Sequence, residues 1–544
     1  MFREFWRDGP GKCLLCAIPL LTVSAVLCFS SVSLAEEAHA DAEARTIRMG
    51  MADVVSLTLR NNLSVRTNYL DRVLEKFELK QADDKYVPNV NLDGTMNMEA
   101  VNKNLQVGSH SKSGSESTQN AGVNLSVEQK IPTGATLTFG WENTYTNEET
   151  SDLSFSRSAG DISRSNARAD GAKSVLSAEL TQPLLKGAGL EYNNATIKLA
   201  HLNEERNVLN LRDNLSALIN EGVNYFFSFV QAKENLEIRR QALDRSRRLL
   251  EINRLKKRLG RMSQSDVTQA MANEASQELS LEQARNNYDE ARRNLLNHLN
   301  LDPNLQVEPA MEGYRELHPK LDECLRVARK RNQTYLDREF DLEEAEINFM
   351  MAENERQWDL SINAKVRQTN GKDNPGRSYT ENESRVGLEL SAPVNLWGAD
   401  YMSRKQALLE ATTNRRKAKV ALQKAGIDLQ TSVANTVRNV NMRFKFIALS
   451  QRNTELQKEQ LENEHIKLMS GRSTNFQVVT YQDQLVQAQQ AEVANIISYL
   501  QALLELDQLL GTTMKTWKVE FKPDDRQLEK ELDDEVRPLV WSWW

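Results

Sequence analysis

Polar and apolar positions alternate in this chain with two different periods. Near Pro88 and Pro183 the period is two. Val90, Leu92, Met96, Met98 and Ala100 are apolar, with Asn91, Asp93, Thr95, Asn97 and Glu99 between them. The same alternation holds Val123, Leu125, Val127 and Ile131, then Leu137, Phe139, Trp141 and Tyr145, then Leu176, Ala178 and Leu180. It returns at Trp358, Leu360, Ile362, Ala364 and Val366, and at Val386, Leu388, Leu390 and Ala392. Runs of about 8–11 residues of this kind suit tilted barrel strands that face lipid on one side and a wet lumen on the other. A half-buried sheet in a soluble sandwich has the same period. The context favours the barrel, because these strands sit between very long helices with no second sheet to pack on. Their edges need closure, and a barrel shared between subunits closes them. The Ser-rich stretches at 108–122, 146–173 and 368–384 read as external loops.

Elsewhere the period is helical. One long helix is predicted from about Tyr192 to Arg258, breaking at Gly260 and returning from Ser263 to Asn300. A second runs from about Asp400 to Ser470, breaks at Gly471 and returns to Leu510. An upper helix from Leu63 to Tyr86 is ended by Pro88, which cannot donate to the helix ladder. At ~1.5 Å per residue the long helices span roughly 100 Å, and an upper plus a return helix roughly 93 Å. Two short helices stacked end to end therefore match one long one. Stripes such as Leu461, Leu468, Val478, Tyr481, Leu485 and Ala488 serve helix packing.

The plan occurs twice. Sliding the sequence by about 270 positions lays Asn62 on Asn332, Asp71 on Asp341, Ala82 on Ala352 and Leu92 on Ile362. A slide of about 210 lays Glu179 on Glu389 and Pro183 on Pro393, and of about 211 lays Gly260 on Gly471, Val267 on Val478 and Tyr288 on Tyr499. The first copy therefore carries about sixty extra residues between Leu92 and Glu179. They read as an inserted strand pair, about 102–175, joined by a tight Ile131-Pro132-Thr133-Gly134 turn. The pair either adds two strands to the barrel, giving six per subunit, or stands as an external hairpin; six is the expectation.

Composition agrees with long helices. The 544 residues hold 23 Gly and 12 Pro, with 40% hydrophobic and 27% charged residues. A formal net charge of −7, without a basic block interleaved with aromatics, argues against a nucleic-acid partner. Arg3, Arg7 and Lys12, the apolar run from Cys13 to Phe29 and the small residues of Ser33-Leu34-Ala35 read as a cleaved export signal over 1–35 rather than a membrane anchor. Leu27 before Cys28 argues against lipidation. Cys13, Cys16 and Cys28 leave with the signal. Cys324 then remains alone and the exported chain has no internal disulfide.

These features resemble the TolC family of outer-membrane efflux and secretion channels. The resemblance covers about Met49 to Leu510. It is carried by Gln182-Pro183-Leu184-Leu185-Lys186-Gly187 and its twin Ser391-Ala392-Pro393-Val394, by Gly260…Asp266-Val267 and Gly471…Gln477-Val478, and by Leu509-Leu510-Gly511. It implies a mainly α protein with a transmembrane β-barrel, in which a trimeric barrel continues into a long antiparallel α-helical tunnel with an equatorial girdle. The chain divides into repeats at 36–310 and 311–514 and a tail at 515–544. The implied partners are two further copies, outer-membrane lipid, a periplasmic adaptor (membrane-fusion) protein and an inner-membrane pump of RND or ABC type; no cofactor is implied. Pro88, Pro183 and Pro393 mark strand–helix junctions. The resemblance would make Leu259, Gly260, Arg261, Gly471 and Arg472 the adaptor-docking tips, and Asp266, Gln477 and Thr480 the periplasmic constriction. Here the sequence departs from the family. Acidic residues expected beyond the second break are replaced by Gln477 and Thr480, which leaves Asp266 alone to make the ring cation-preferring. Asp266 also suits a helix-start carboxylate.

Two other classes are weaker. An enzyme is disfavoured because the six histidines are scattered, with no pair at ligand spacing and no Gly-rich phosphate loop. A periplasmic coiled-coil adaptor or structural protein accounts for the helices but not for six alternating strands in a duplicated frame. The tail ends Val540-Trp541-Ser542-Trp543-Trp544, which suits either a membrane-interface anchor or a loose end.

Overall fold

The computed structural model describes residues 47–541 except 108–109, 157–160, 312, 315, 374–375, 393–397 and 525. The expected leader, Pro393 and the last two tryptophans lie outside the described residues. The chain opens with β1 (Ile47–Met49), α1 (Met51–Asn61) and α2 (Leu63–Asp83). Four strands follow: β2 (Asn89–Val107), β3 (His110–Lys130), β4 (Thr136–Ser156) and β5 (Asp161–Pro183). Then come α3 (Leu190–Arg258), α4 (Gln264–His298) and β6 (Val307–Pro309). The second copy repeats the order with α5 (Leu321–Arg331), α6 (Gln333–Glu355), β7 (Asp359–Asp373), β8 (Arg377–Ser391), α7 (Ala399–Met469) and α8 (Asn475–Leu510). Two short helices close the chain, α9 (Thr513–Thr516) and α10 (Arg526–Trp541).

The long helices α3 and α7 have 69 and 71 residues. The shorter helices α2 and α4 lie along α3, and α6 and α8 lie along α7. Each copy is thus a long helix beside two short ones stacked end to end. The joint between the short helices uses the same residue in both copies. The Asn62 side chain caps α2 by accepting from Ser64 N at 2.8 Å and donates to the His298 carbonyl at the end of α4 at 2.8 Å. Asn332 accepts from Tyr335 N at 2.9 Å and donates to the Leu509 carbonyl at the end of α8 at 2.9 Å. One amide satisfies an orphan donor of the upper helix and an orphan acceptor of the return helix.

The main core sits at this level. Ile219, Val223, Phe226, Phe227 and Phe229 of α3 pack with Leu295 and Leu296 of α4, Val54 of α1, Ala328 of α5, Val433 and Val440 of α7, and Tyr499 of α8. The parallel pair β1–β6 adds Met49 and Val307 to the same cluster. Gly222 permits a close approach of α1 to α3, since a Cβ there would lie 2.7 Å from Thr58 Oγ1.

The six longer strands form one antiparallel sheet in the order β2-β3-β4-β5-β7-β8. The inserted pair therefore lies within the sheet. The strands correct the expected lengths: those of the first copy have 19, 21, 21 and 23 residues, and those of the second 15 each. Most of the Ser-rich stretches expected to be loops are the outer halves of these strands, paired in register, as at Ser117↔Glu149 and Thr150↔Ala167. A ladder is held by backbone hydrogen bonds, which Ser, Thr and Asn supply as well as Val does. Side-chain alternation stops where one face no longer needs to be apolar, so it marks the end of the apolar face and not the end of the strand.

The segment after α9 folds back on the first copy. Trp517, Val519 and Phe521 pack against the core. The Tyr69 hydroxyl donates to the Lys522 carbonyl at 3.0 Å. Arg72, 3% exposed, is clamped by Glu204 with Asp524 at 3.6 Å, and Lys76 pairs with Asp524 at 3.4 Å and with Glu529.

Candidate functional site: the paired helical tips

The two interhelical turns lie together at the end of the helices remote from the sheet. Each turn closes the same way. Gly260 (φ 71°) and Gly471 (φ 75°) take the left-handed conformation that lets a helix end without a Cβ penalty. The next amide reaches back to the helix, Arg261 N to Lys256 O and Arg472 N to Lys467 O, both at 2.9 Å. A Ser or Thr then starts the return helix. Ser263 and Asp266 form a reciprocal capping box, the Ser263 hydroxyl donating to the carboxylate at 2.6 Å. Thr474 and Gln477 form the same box, with Thr474 N donating to Gln477 Oε1 at 3.2 Å. Asp266 and Gln477 are thus structural twins, and the helix-start role expected of Asp266 is the one its contacts show. Its carboxylate is the helix-start group, it is half-buried, and it sits beside the tip. Thr480 lies one turn further on, its hydroxyl donating to the Phe476 carbonyl at 2.9 Å.

Three contacts tie one tip to the other. Lys256 Nζ donates to the Leu468 carbonyl at 2.9 Å. Asn253, fully buried, donates to Asn475 Oδ1 at 2.9 Å, and Asn475 in turn donates to the Asp266 carbonyl at 3.2 Å. Above them Leu249, Leu461, Leu468, Val478 and Leu485 form a small core. Glu464 is buried at this level. Hydrogen bonds from Ser473 and Lys467 hold its carboxyl below the ordinary value. Neighbouring His465 is pushed down by burial.

Leu259, Gly260, Arg261, Gly471 and Arg472 are all at this end, and all are exposed. The surface is cationic and apolar together. Leu255, Leu259, Met469 and Phe476 are exposed beside Arg254, Lys257, Arg258 and Arg261. Sequence reading missed Phe476, Met469 and the Asn253–Asn475 pair. Large apolar residues lying off the packing stripe next to a helix break were the available signal for the first two. The asparagine pair, which joins residues more than two hundred positions apart, had none.

At the other end, Pro88 and Pro183 sit where helix gives way to strand. Val87 N closes the helix on the Asp84 carbonyl at 2.9 Å, and Asn89 starts β2. Pro183 ends β5 opposite Ser361. Below it Gly187 N donates to Asn354 Oδ1 at 2.7 Å, and Asn193 Nδ2 donates to the Gly187 carbonyl at 2.9 Å. Tyr192 hydrogen-bonds Glu355, and burial, reinforced by that carboxylate, pushes the phenol up to about 12.

Among the described residues no cluster of His, Cys, Asp or Glu could hold a metal ion, and no helix is long and apolar enough to cross a membrane. No family model and no curated protein sequence matches the chain. Solved structures do. A membrane protein from Pseudomonas aeruginosa superposes with a TM-score of 0.60 at 14% identity, covering 88% of this chain and 93% of that one. The CmeC outer membrane channel of Campylobacter jejuni gives 0.59 at 14% identity, covering 88% and 90%. The outer membrane protein VceC of Vibrio cholerae gives 0.59 at 13% identity, covering 85% and 96%. The fold is that of outer-membrane channels, in line with the TolC-like resemblance.

Proposed function

We propose that this chain, which has the TolC-type channel fold, is one subunit of a homotrimeric duct. The duct would cross the outer membrane of a Gram-negative cell and continue as a helical tunnel through the periplasm. The observation that carries this reading is the apolar face of the sheet. Val90, Leu92, Met96, Phe139, Trp141, Leu176, Val366, Val386 and Leu388 are 42–80% exposed on one face, and no described residue covers them. A face of this size in water would aggregate; in a bilayer it is solvated. Among the described residues the sheet ends in two unpaired edges, β2 and β8, that neighbouring copies would pair.

On this reading 1–35 is a cleaved leader, 36–310 and 311–514 are the two repeats, and 515–544 is a tail. The exposed tips take a periplasmic adaptor, and an inner-membrane pump of RND or ABC type drives the cargo; the duct is passive and performs no catalysis. Asp266, three times around the trimer axis with Gln477 and Thr480 near it, would give the constriction a mild cation preference. Single-channel recording of detergent-purified protein in a planar bilayer tests this, wild type beside Asp266→Asn. Discrete conductance steps are expected, with a weaker cation preference in the variant. Unchanged selectivity would remove Asp266 from the constriction. A folded protein with neither conductance nor a detergent-stable oligomer would sink the channel reading.

A further inference from the structure

The inserted strands β3 and β4 distinguish the first copy from the second, in which β7 pairs with β8 directly. Every pairing in the sheet is known, so the apolar run on each strand can be placed against its neighbours. Level with Gly94 of β2 are Val123, Asn143, Ser174, Asn370 and Thr380. The apolar runs do not stay level. They centre near Gly94 on β2, Leu125 on β3, Trp141 on β4, Ala178 on β5, Asn363 on β7 and Leu388 on β8. Relative to the paired rows the centre slips toward the helical end across the sheet, holding level between β3 and β4, where Leu125 pairs with Trp141, and reaching about eight residues by β8. About eight residues at ~3.3 Å over five gaps of ~4.8 Å is an angle of roughly 45°. That is the strand tilt expected of a membrane barrel. A level lipid band drawn on strands so tilted crosses the rows in this way, and β3 and β4 take their places in its sequence.

The base of the inserted pair is also built in. The Gly189 amide donates to the Thr133 carbonyl at 3.2 Å, and Thr133 Oγ1 bonds Gln182 Oε1 at 3.0 Å. Gly134 has φ 97°, and a Cβ there would lie 2.4 Å from the Gly187 carbonyl. The turn is thus seated on the strand–helix junction, at the level of the other strand bases.

We propose that β3 and β4 are wall strands, so that the trimer closes an eighteen-strand barrel with a bore suited to bulky cargo. The proposal rests on the channel reading above. At ~4.8 Å spacing and ~45° tilt, eighteen strands give about 39 Å between opposite backbones, against about 26 Å for twelve. Less the side chains, the wider barrel leaves room for polypeptide that keeps helices of ~10–12 Å diameter. The face opposite the band is mostly polar and of mixed charge, one of its lower rows holding Glu128, Thr138, Glu179, Lys365 and Arg385, with Lys365 paired to Glu179 at 2.9 Å. Apart from Val101 and the buried Val175, such a wall gives an unfolded or partly folded chain little apolar surface to stick to.

Cysteine labelling in intact cells decides the wall assignment, because Cys324 is buried and gives little background. Thr138→Cys and Thr144→Cys should react with a membrane-impermeant maleimide through the lumen. Phe139→Cys and Tyr145→Cys should resist it and react with a lipid-soluble maleimide, as Leu388→Cys on β8 does. Equal reaction of all four β4 positions with the impermeant reagent, while Leu388→Cys stays protected, would overturn the proposal and leave the channel reading standing. Exposure of Leu388→Cys as well would reject the channel reading itself. Bore is tested by deleting residues 110–158, which puts Leu92 opposite Ala178 as Ile362 is opposite Leu388. The largest polymer admitted from the barrel side should shrink in diameter by more than about a third. An unchanged cut-off in an assembled variant would refute the wider bore; a variant that does not assemble leaves the labelling to decide.

Discussion

Gly260 and Gly471 show how little sequence is needed to place a helix end. Each sits at the one position where a positive φ is required, and each is followed by a Ser or Thr cap. Asp266 and Gln477 then differ in charge while making the same capping contacts. The residues around them respond to acid. His465 is held below its ordinary value by burial, so the folded chain binds fewer protons than the unfolded one and stability falls as pH drops through about 6.5. Glu464 is held low by Ser473 and Lys467, so its contribution is present above the ordinary carboxylate value and is lost as pH falls through its depressed one. Hydrogen exchange of residues 455–475 should accelerate in two stages between pH 7 and pH 3. His465→Gln should remove the first stage and Glu464→Gln the second; a flat profile in wild type would contradict both assignments.

Helices and strands differed in how legibly the sequence wrote them. The ends of the long helices are legible to within about two residues because their breakers, Gly260 and Gly471, each act through their own backbone, as Pro88 does after α2. What went unseen was α1 and α5, separate helices joined to α2 and α6 through Asn62 and Asn332. The alignment of these two asparagines under the repeat was visible, but their partners His298 and Leu509 are distant in the chain. Replacing either by Ala should cost about 1 kcal/mol, the ordinary value of a lost cap. The double replacement should be close to additive, since the sites are in different copies. Denaturant midpoints check this, and a change near zero at both would mean that the stacked helices hold without the joint.

On the scale of the whole molecule, the chain is a layer with two unfinished edges and a strap. The strap is the segment from Trp517 through α10, and its main fastening is Arg72 between Glu204 and Asp524. Arg72→Ala leaves a partly buried carboxylate without its cation and should destabilise the fold by about 3 kcal/mol. Lys76→Ala removes a half-exposed pair worth less than about 1 kcal/mol. Limited proteolysis should therefore release the tail in the first variant and not in the second. Equal sensitivity would mean that Trp517, Val519 and Phe521, not the ion pairs, hold the segment down.

The sequence by itself determined the two periodicities, the helix lengths, the turns and the duplication. All of these are local properties, set by side-chain burial on one face or by the backbone preferences of Pro and Gly. Only the tertiary structure decided where the strands end, which strands are neighbours, how the stacked helices are joined and how one tip is tied to the other. Those depend on hydrogen bonds between backbones and between residues remote in the chain. The apolar pattern records which side of an element is hidden from water; it carries no mark of which partner completes it.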